Sequence, residues 1–477
     1  MSNKSKKWRA IFSILMCTIL LAGCSPSMNI KNSTDAKIME PEESKAVSVS
    51  FIGGKDVMPI TGYIGPYEQA YSADGDVFPD YITDEYYKMI SDCGINLITY
   101  SFTDYSSSPE AVKKNLELGE KYGVGIFVTD NNVLGKTEQE NVTVEELTKE
   151  IVNYSNYKAF CGMYMVDEPQ TTYYQMGDGS RLLTKYKQVA DLLHNKLDIL
   201  SYCNLYPIID LTKNKENYEK YVKEFCDILQ PKVLCWDYYP FDAYREGKME
   251  VYFYNMDLIR KTATERGIPF WAYIQAGSQW NDDQEYFDSV KPYYPNEFQF
   301  NWNVNTSLAM GAQGIQYFPL IQPYHFAYAE TDGWDFERNG ILGAVGNKTQ
   351  WYYYAQQINE HIATIDEVLM NSVNKGVIVT GEQAISDMAM TSCVIESGTF
   401  NQLKSISGET MVGCFNYNGK TALYVVNYSM ENAQKITLDF ASSQNVQMIR
   451  EAEKSYVKGS SLTLDMAAGE GILLVLE

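Results

Sequence analysis

Up to about residue 370 the chain alternates between two hydrophobic spacings, and beyond it keeps only one of them. Apolar runs of strand length fall at Ile60 to Gly65, Ile95 to Tyr100, Gly125 to Asp130, Phe160 to Glu168, Ile199 to Asn204, Val233 to Pro240, Pro269 to Gln275 and Gly314 to Phe318. Between and after them come segments with apolar residues every three or four positions. These are near Asp84 to Asp92, Glu110 to Tyr122, Val144 to Tyr154, Gly177 to Leu193, Tyr218 to Leu229, Tyr252 to Glu265, Phe298 to Met310 and Gln350 to Met370. Strand-length runs separated by helical patterns predict an α/β protein with a parallel sheet. Eight such units in a row have the usual size of a (β/α)8 TIM barrel, placed here at residues 56–372.

From Asn374 the spacing becomes two. Gly376 to Val379, Gly413 to Tyr417, Ala422 to Tyr428, Lys435 to Phe440, Val446 to Ile449, Ser461 to Leu464 and Gly471 to Leu476 lie between Gly, Asn and Ser turns, and Asn418-Gly419 is a hairpin signal. Residues 373–477 are predicted to form a small C-terminal all-β sandwich packed on the barrel flank.

The fourth run, Phe160-Cys161-Gly162-Met163-Tyr164-Met165-Val166-Asp167-Glu168-Pro169, ends in two carboxylates and a proline. Proline gives no N–H to a ladder and favours the first turn of a helix, so the strand stops at Glu168. Two acids at a buried strand tip are costly without water, a partner or a substrate. In a parallel barrel that tip is where active sites are built, although an Asp-Glu-Pro sequence also suits a helix cap. The same end of other strands carries Asp130, Asn204, Asp237, Tyr238 and Gln275, with Tyr317 and Phe318 at or near the end of the eighth. Polar groups recurring at one end of successive strands point to a functional mouth.

Composition narrows the chemistry. Lys4, Lys6, Lys7 and Arg9 precede an apolar run, Ala10 to Ala22, too short to span a bilayer comfortably, with small residues at its end. This reads as a signal peptide over residues 1–23. The closing Leu21-Ala22-Gly23-Cys24 resembles the bacterial lipoprotein box, which implies a lipid on Cys24 and an extracytoplasmic, membrane-anchored protein. Residues 24–55 are polar and aperiodic, and read as a flexible tether. Removing the four positive charges of the signal takes the formal net charge from −22 to −26, which argues against a nucleic-acid partner. The three histidines are far apart and no CxxC is present. Neither a metal centre nor a cofactor motif is expected, and the cysteines read as small buried hydrophobes.

What remains is carboxylates, amides and aromatic faces. That set suits cleavage of a glycosidic bond, in which one carboxylic acid protonates the leaving oxygen and a second carboxylate attacks or activates water. Trp236, Tyr238, Tyr239, Trp271, Trp280 and Trp302 fall around the sixth and seventh strands and offer platforms for sugar rings.

Gly162-Met163-Tyr164-Met165-Val166-Asp167-Glu168-Pro169, Asn204-Leu205-Tyr206-Pro207, Trp236-Asp237-Tyr238-Tyr239-Pro240-Phe241 and Leu308 to Phe318 together resemble the barrel glycoside hydrolases of the family 42 (β-galactosidase-like) group. The resemblance implies a carbohydrate substrate and makes Glu168 the proton donor. It also marks a departure: where those enzymes keep a nucleophilic glutamate on the seventh strand, this chain has Gln275. Glutamine cannot serve as that carboxylate. Three explanations stand open. Asp237, Asp130 or a mouth-loop acid such as Glu330 is the second carboxylate; or Asp167 and Glu168 act together on a substrate whose acetamido group attacks its own anomeric carbon; or the barrel is a catalytically inactive carbohydrate-binding lipoprotein. A lyase is a more distant alternative. Asp237 is the first choice of partner and Asp167 an orienting residue. Asp130, Asn204, Tyr238, Tyr239, Gln275, Trp280 and Tyr317 are the expected substrate-binding residues.

Overall fold

The computed structural model describes residues 56–71, 77–99, 108–130, 149, 151–169, 186–191, 194–195, 200–241, 249–278, 293–323, 339–396 and 398–477. The signal segment, the tether with Cys24, Trp280 and Glu330 lie outside these residues. Among the described residues no helix is long and apolar enough to cross a membrane.

Eight parallel strands form the first sheet: β1 (Ile60–Gly62), β2 (Leu97–Ile98), β3 (Gly125–Val128), β4 (Phe160–Asp167), β5 (Leu200–Asn204), β6 (Leu234–Trp236), β7 (Phe270–Gln275) and β8 (Ile315–Phe318). Their order is β5-β4-β3-β2-β1-β8-β7-β6. The two free edges meet at a parallel bridge between Leu205 and Trp236, where the Leu205 N–H donates to the Cys235 carbonyl at 3.0 Å. The sheet therefore closes on itself, as the eight-fold alternation predicts.

Around it stand α1 (Asp84–Asp92), α2 (Pro109–Tyr122), α3 (Leu211–Leu229), α4 (Met249–Arg266), α5 (Glu297–Ala309) and α6 (Gln350–Met370). Their ends follow local chemistry. Ser108 caps α2 by accepting from the Ala111 N–H, Pro109 occupies the first turn, and Gly123 closes it in the left-handed conformation at φ 72°.

Side-chain parity separates two cores. Ile126, Val128, Met163, Trp236, Phe270, Ile274 and Ile315 point out against the helices. Phe127, Tyr164, Tyr202, Cys235, Trp271 and Tyr273 point in. Inside, the rings of Phe127, Tyr202 and Trp271 pack against one another, with centroids 5.3 Å apart for Phe127 and Tyr202, 5.6 Å for Tyr202 and Trp271 and 6.2 Å for Phe127 and Trp271. Gln316 accepts from Thr61 at 3.0 Å and from Tyr202 at 2.9 Å. The cylinder is packed shut beneath its mouth, so a substrate has access only from the strand ends. The described cysteines Cys93, Cys161, Cys203, Cys226, Cys235, Cys393 and Cys414 are buried and form no disulfide.

The C-terminal region is antiparallel: β9 (Ser372–Thr380), β10 (Leu403–Ser407), β11 (Thr410–Tyr417), β12 (Lys420–Asn427), β13 (Gln434–Arg450), β14 (Glu453–Met466) and β15 (Gly471–Leu476), with one short helix, α7 (Glu382–Asp387). Asn418 and Gly419, at φ 51° and 83°, make the predicted turn between β11 and β12. The sandwich departs from expectation in its longest strand. Lys435 to Phe440 and Val446 to Ile449 are one strand, β13, and its pairing with β14 is interrupted between Asp439 and Gln444. Below the break β13 pairs with β10, and above it with β15, so the two layers are continuous through this long hairpin. Leu438 and Leu464 from one layer bury against Leu423 and Val425 of the other.

The other face of β12 packs on the barrel. Tyr424 OH donates to Asn305 Oδ1 of α5 at 2.8 Å, and Asn305 Nδ2 donates to the Gly469 carbonyl at 2.8 Å. These buried bonds fix the β-domain to α5 on the outside of the barrel.

Candidate active site

Strict alternation along β4 would turn Asp167 outward, since it lies three residues beyond the inward-facing Tyr164. The structure avoids this with a bulge. Tyr164 pairs with Tyr202 and Val166 with Cys203, leaving Met165 as an extra residue, and Asp167 then pairs with Asn204. A bulge shifts parity and re-aims the side chain that follows. Asp167 consequently faces the mouth, where its Oδ2 accepts from Tyr63 OH at 2.6 Å and its Oδ1 from Asn204 Nδ2 at 3.2 Å.

Glu168 follows with φ 43°, a left-handed value for a residue that precedes proline. Its N–H still donates to the Asn204 carbonyl at 2.9 Å. Strain of this kind costs roughly 1–3 kcal/mol and collects at functional sites. Here it turns the Glu168 carboxyl toward Asp237, to which the protonated group donates a hydrogen bond. Asp237 is only 8% exposed. It accepts from Asn204 Nδ2 at 2.8 Å and also from the Tyr239 hydroxyl. One amide nitrogen thus binds two acids, which places Asp167 Oδ1 and Asp237 Oδ1 within about 6 Å, the most that bonds of 3.2 and 2.8 Å through one atom allow.

Three carboxyl groups so close cannot all ionise at neutral pH. Burial, followed by the charges of Asp237 and Asp167, pushes Glu168 up to about 9. Burial, followed by the charge of Asp167, pushes Asp237 up to about 7, with Asn204 and Tyr239 opposing the rise. Glu168 is therefore the member that holds its proton, which is the state a general acid requires.

Beside the acids lies an aromatic floor. Tyr239 and Phe318 meet at 5.1 Å, and Tyr63 packs against Phe318 at 5.6 Å and Tyr273 at 5.7 Å. Tyr239 and Phe318 are partly exposed. Two of these rings carry the hydroxyls that bind Asp167 and Asp237, so platform and carboxylates form one unit. Among the described residues no group of three or more His, Cys, Asp or Glu is arranged to hold a metal ion.

Glu168, Asp237, Asp167, Asn204 and Tyr239 are thus brought together as expected. Four expected residues are not part of this cluster. Asp130 is buried and its carboxylate accepts from Tyr154 OH at 2.6 Å, on the helix side of β3. Tyr238 has the opposite parity to Tyr239 and packs its ring on Tyr252 of α4 at 6.0 Å. Tyr317 is fully buried outside the cylinder, stacked on Phe300 and donating to Asn359 at 2.6 Å. The inward residue of β8 is its neighbour Phe318. Gln275 is at the mouth but its amide is spent: Nε2 donates to the carbonyls of Phe241 at 2.7 Å and Gly277 at 2.9 Å, and Oε1 accepts from the Phe241 N–H at 3.0 Å. It clamps the turn after β6. Tyr63 is the residue that sequence reasoning missed. The available signal was its place just past β1, where the other strands carry their polar groups.

No protein-family model matches the chain, and no curated protein matches it in sequence. Solved structures match it in fold. The β-galactosidase from Bacillus circulans sp. alkalophilus aligns with a TM-score of 0.54 at 10% identity, over 88% of this chain and 99% of that one. The chain shares the barrel fold of that β-galactosidase. The β-galactosidase from the psychrophilic Marinomonas ef1 aligns with a TM-score of 0.45 at 10% identity, over 70% of this chain and 65% of that one. A glucosidase from Croceicoccus marinus gives 0.44 at 12% identity, over 88% and 95%.

Proposed function

We propose that the protein is a glycoside hydrolase in which Glu168 protonates the oxygen of the bond being cut. The observation that carries this reading is the Glu168 carboxyl held in hydrogen-bond contact with Asp237 at the mouth of a closed barrel. A carboxyl group that stays protonated at neutral pH, set beside exposed aromatic faces, is the equipment that glycosidic cleavage demands. Asp237 keeps the proton on Glu168, and Asp167, the most exposed of the three acids, meets the substrate.

The substrate in this reading is an extracytoplasmic glycan, and the enzyme is held to the bacterial membrane through lipid on Cys24. The position of Gln275 favours a second reading, a barrel that binds glycans without cutting them, because among the described residues β7 ends in an amide and not a carboxylate. A panel of aryl glycosides and oligosaccharides, offered to wild type and Glu168→Gln, separates the two. Turnover by wild type that falls at least 100-fold in the variant supports the hydrolase. Binding by calorimetry with no turnover by either supports the binding protein.

A further inference from the structure

We propose that the sugar whose bond is cut carries a 2-acetamido group, and that Asp167 holds this group so that its carbonyl oxygen attacks the anomeric carbon. The inference rests on the hydrolase reading and names its substrate class.

A glycosidase with two catalytic carboxyls places them about 5–5.5 Å apart when one attacks the sugar, and about 6.5–9.5 Å apart when one activates water on the far face. Glu168 and Asp237 are in hydrogen-bond contact, which leaves no room for an anomeric carbon between them. Asp167, the last residue of β4, and Glu168, which follows it, stand at one strand tip and reach a substrate from the same side of the mouth. The tip of β7 holds an amide already committed to three backbone groups. The described mouth therefore supplies an acid and a neighbouring carboxylate, but no nucleophile opposite them. An acetamido oxygen on the substrate is a nucleophile that needs only those two groups.

The surroundings of Asp167 suit that task. Its two oxygens each accept one bond, from Tyr63 and Asn204, and a carboxylate has about four acceptor sites. Capacity remains for the acetamido N–H. The Tyr63 hydroxyl that binds Asp167 belongs to the ring packed on Phe318, which also touches Tyr239. An acetamido methyl beside Asp167 would rest on this apolar floor.

The electrons and protons balance. The carbonyl oxygen donates a pair to C1 as the bond from C1 to the leaving oxygen breaks, and Glu168 gives that oxygen its proton. Asp167 accepts a hydrogen bond from the N–H of the cationic oxazolinium ring so formed. Water then attacks C1, its proton passes to the Glu168 carboxylate, and the ring bond to C1 breaks to restore the acetamido group. The sum is glycoside plus water to free sugar plus alcohol, with retained configuration.

The test uses 4-nitrophenyl 2-acetamido-2-deoxyhexosides of gluco and galacto configuration, in both anomers, beside the same hexosides bearing a 2-hydroxyl. Mono-, di- and trifluoroacetyl analogues weaken the carbonyl as a nucleophile. The expected result is at least 100-fold preference for the acetamido sugars and a rate that falls stepwise with fluorination. Asp167→Asn should lose at least 100-fold in kcat with little change in KM. The bicyclic thiazoline made from each amino sugar, which imitates the oxazolinium, should bind wild type at least 10-fold more tightly than Asp167→Asn, measured by calorimetry on variants of native circular dichroism. Equal turnover of 2-hydroxyl sugars, or indifference to fluorination, overturns the proposal and leaves Glu168 as an acid. If no glycoside is cut and the thiazolines do not bind, both the proposal and the hydrolase reading fall.

Discussion

The Glu168 carboxyl at the end of β4 donates a hydrogen bond to Asp237, just past β6, although one strand, β5, stands between them. Asn204 at the tip of that intervening strand makes the contact possible, because its amide nitrogen binds Asp237 and Asp167 at once. The arrangement resembles a shared-proton dyad more than a pair of independent acids. Its titration accordingly belongs to the pair.

The dyad should cost stability as pH rises. Glu168 holds its proton in the folded protein up to about 9, whereas in the unfolded chain it releases it near 4.5, the ordinary value for a glutamate. Between those limits the folded state binds more protons than the unfolded state, so stability falls as pH increases through the window. Glu168→Gln removes the charge that must be confined there. The variant should exceed wild type by roughly 1–2 kcal/mol at pH 8, a figure reduced for solvent screening of a partly exposed group, and converge with it near pH 4. Urea unfolding at the two pH values checks this. An equal difference at both would remove like-charge crowding as the cause.

Asn204 lowers the proton affinity of Asp237, so its loss should be read in the pH profile. Asn204→Ala leaves the buried Asp237 carboxylate with one donor fewer, and the pH at which Asp237 ionises rises. The ascending limb of kcat/KM should move to higher pH and the maximum should fall by roughly 10–100-fold. A drop in rate with an unmoved profile would assign Asn204 a purely structural part.

Gln275→Glu should not create a nucleophile. A carboxylate there loses both donors now given to the carbonyls of Phe241 and Gly277, and sets a charge among acceptors in a residue 1% exposed. The expected cost is roughly 2–4 kcal/mol, seen as a lower urea midpoint, with no gain in activity. Unchanged stability with faster turnover would contradict the clamp assigned to Gln275.

Much of the architecture was legible from spacing alone. Helices α1 and α6 run from Asp84 to Asp92 and from Gln350 to Met370, as their apolar periodicity predicts, and the strand with the acids ends beside Pro169. Orientation was less legible. Tyr238 and Tyr239, or Tyr317 and Phe318, differ only in parity, and parity depends on where a strand begins and whether it bulges. The extra residue at Met165 leaves no mark in composition, yet it decides that Asp167 faces the mouth. In the β-domain the polar stretch between Phe440 and Val446 reads as a turn, whereas it is the interrupted middle of β13. Strand β10 and helix α7 were also missed, being short and only partly apolar.

The role of Glu168 is tested most directly by varying the leaving group. On aryl glycosides that the wild type hydrolyses, from 2,4-dinitrophenyl to 4-methoxyphenyl, a general acid matters only where the departing oxygen needs a proton. Glu168→Gln should keep most of the wild-type rate with the dinitrophenyl group and lose roughly 10²–10⁴-fold with the poorest leaving group. A loss that is uniform across the series, or no loss at all, would contradict the assignment of Glu168 as the acid.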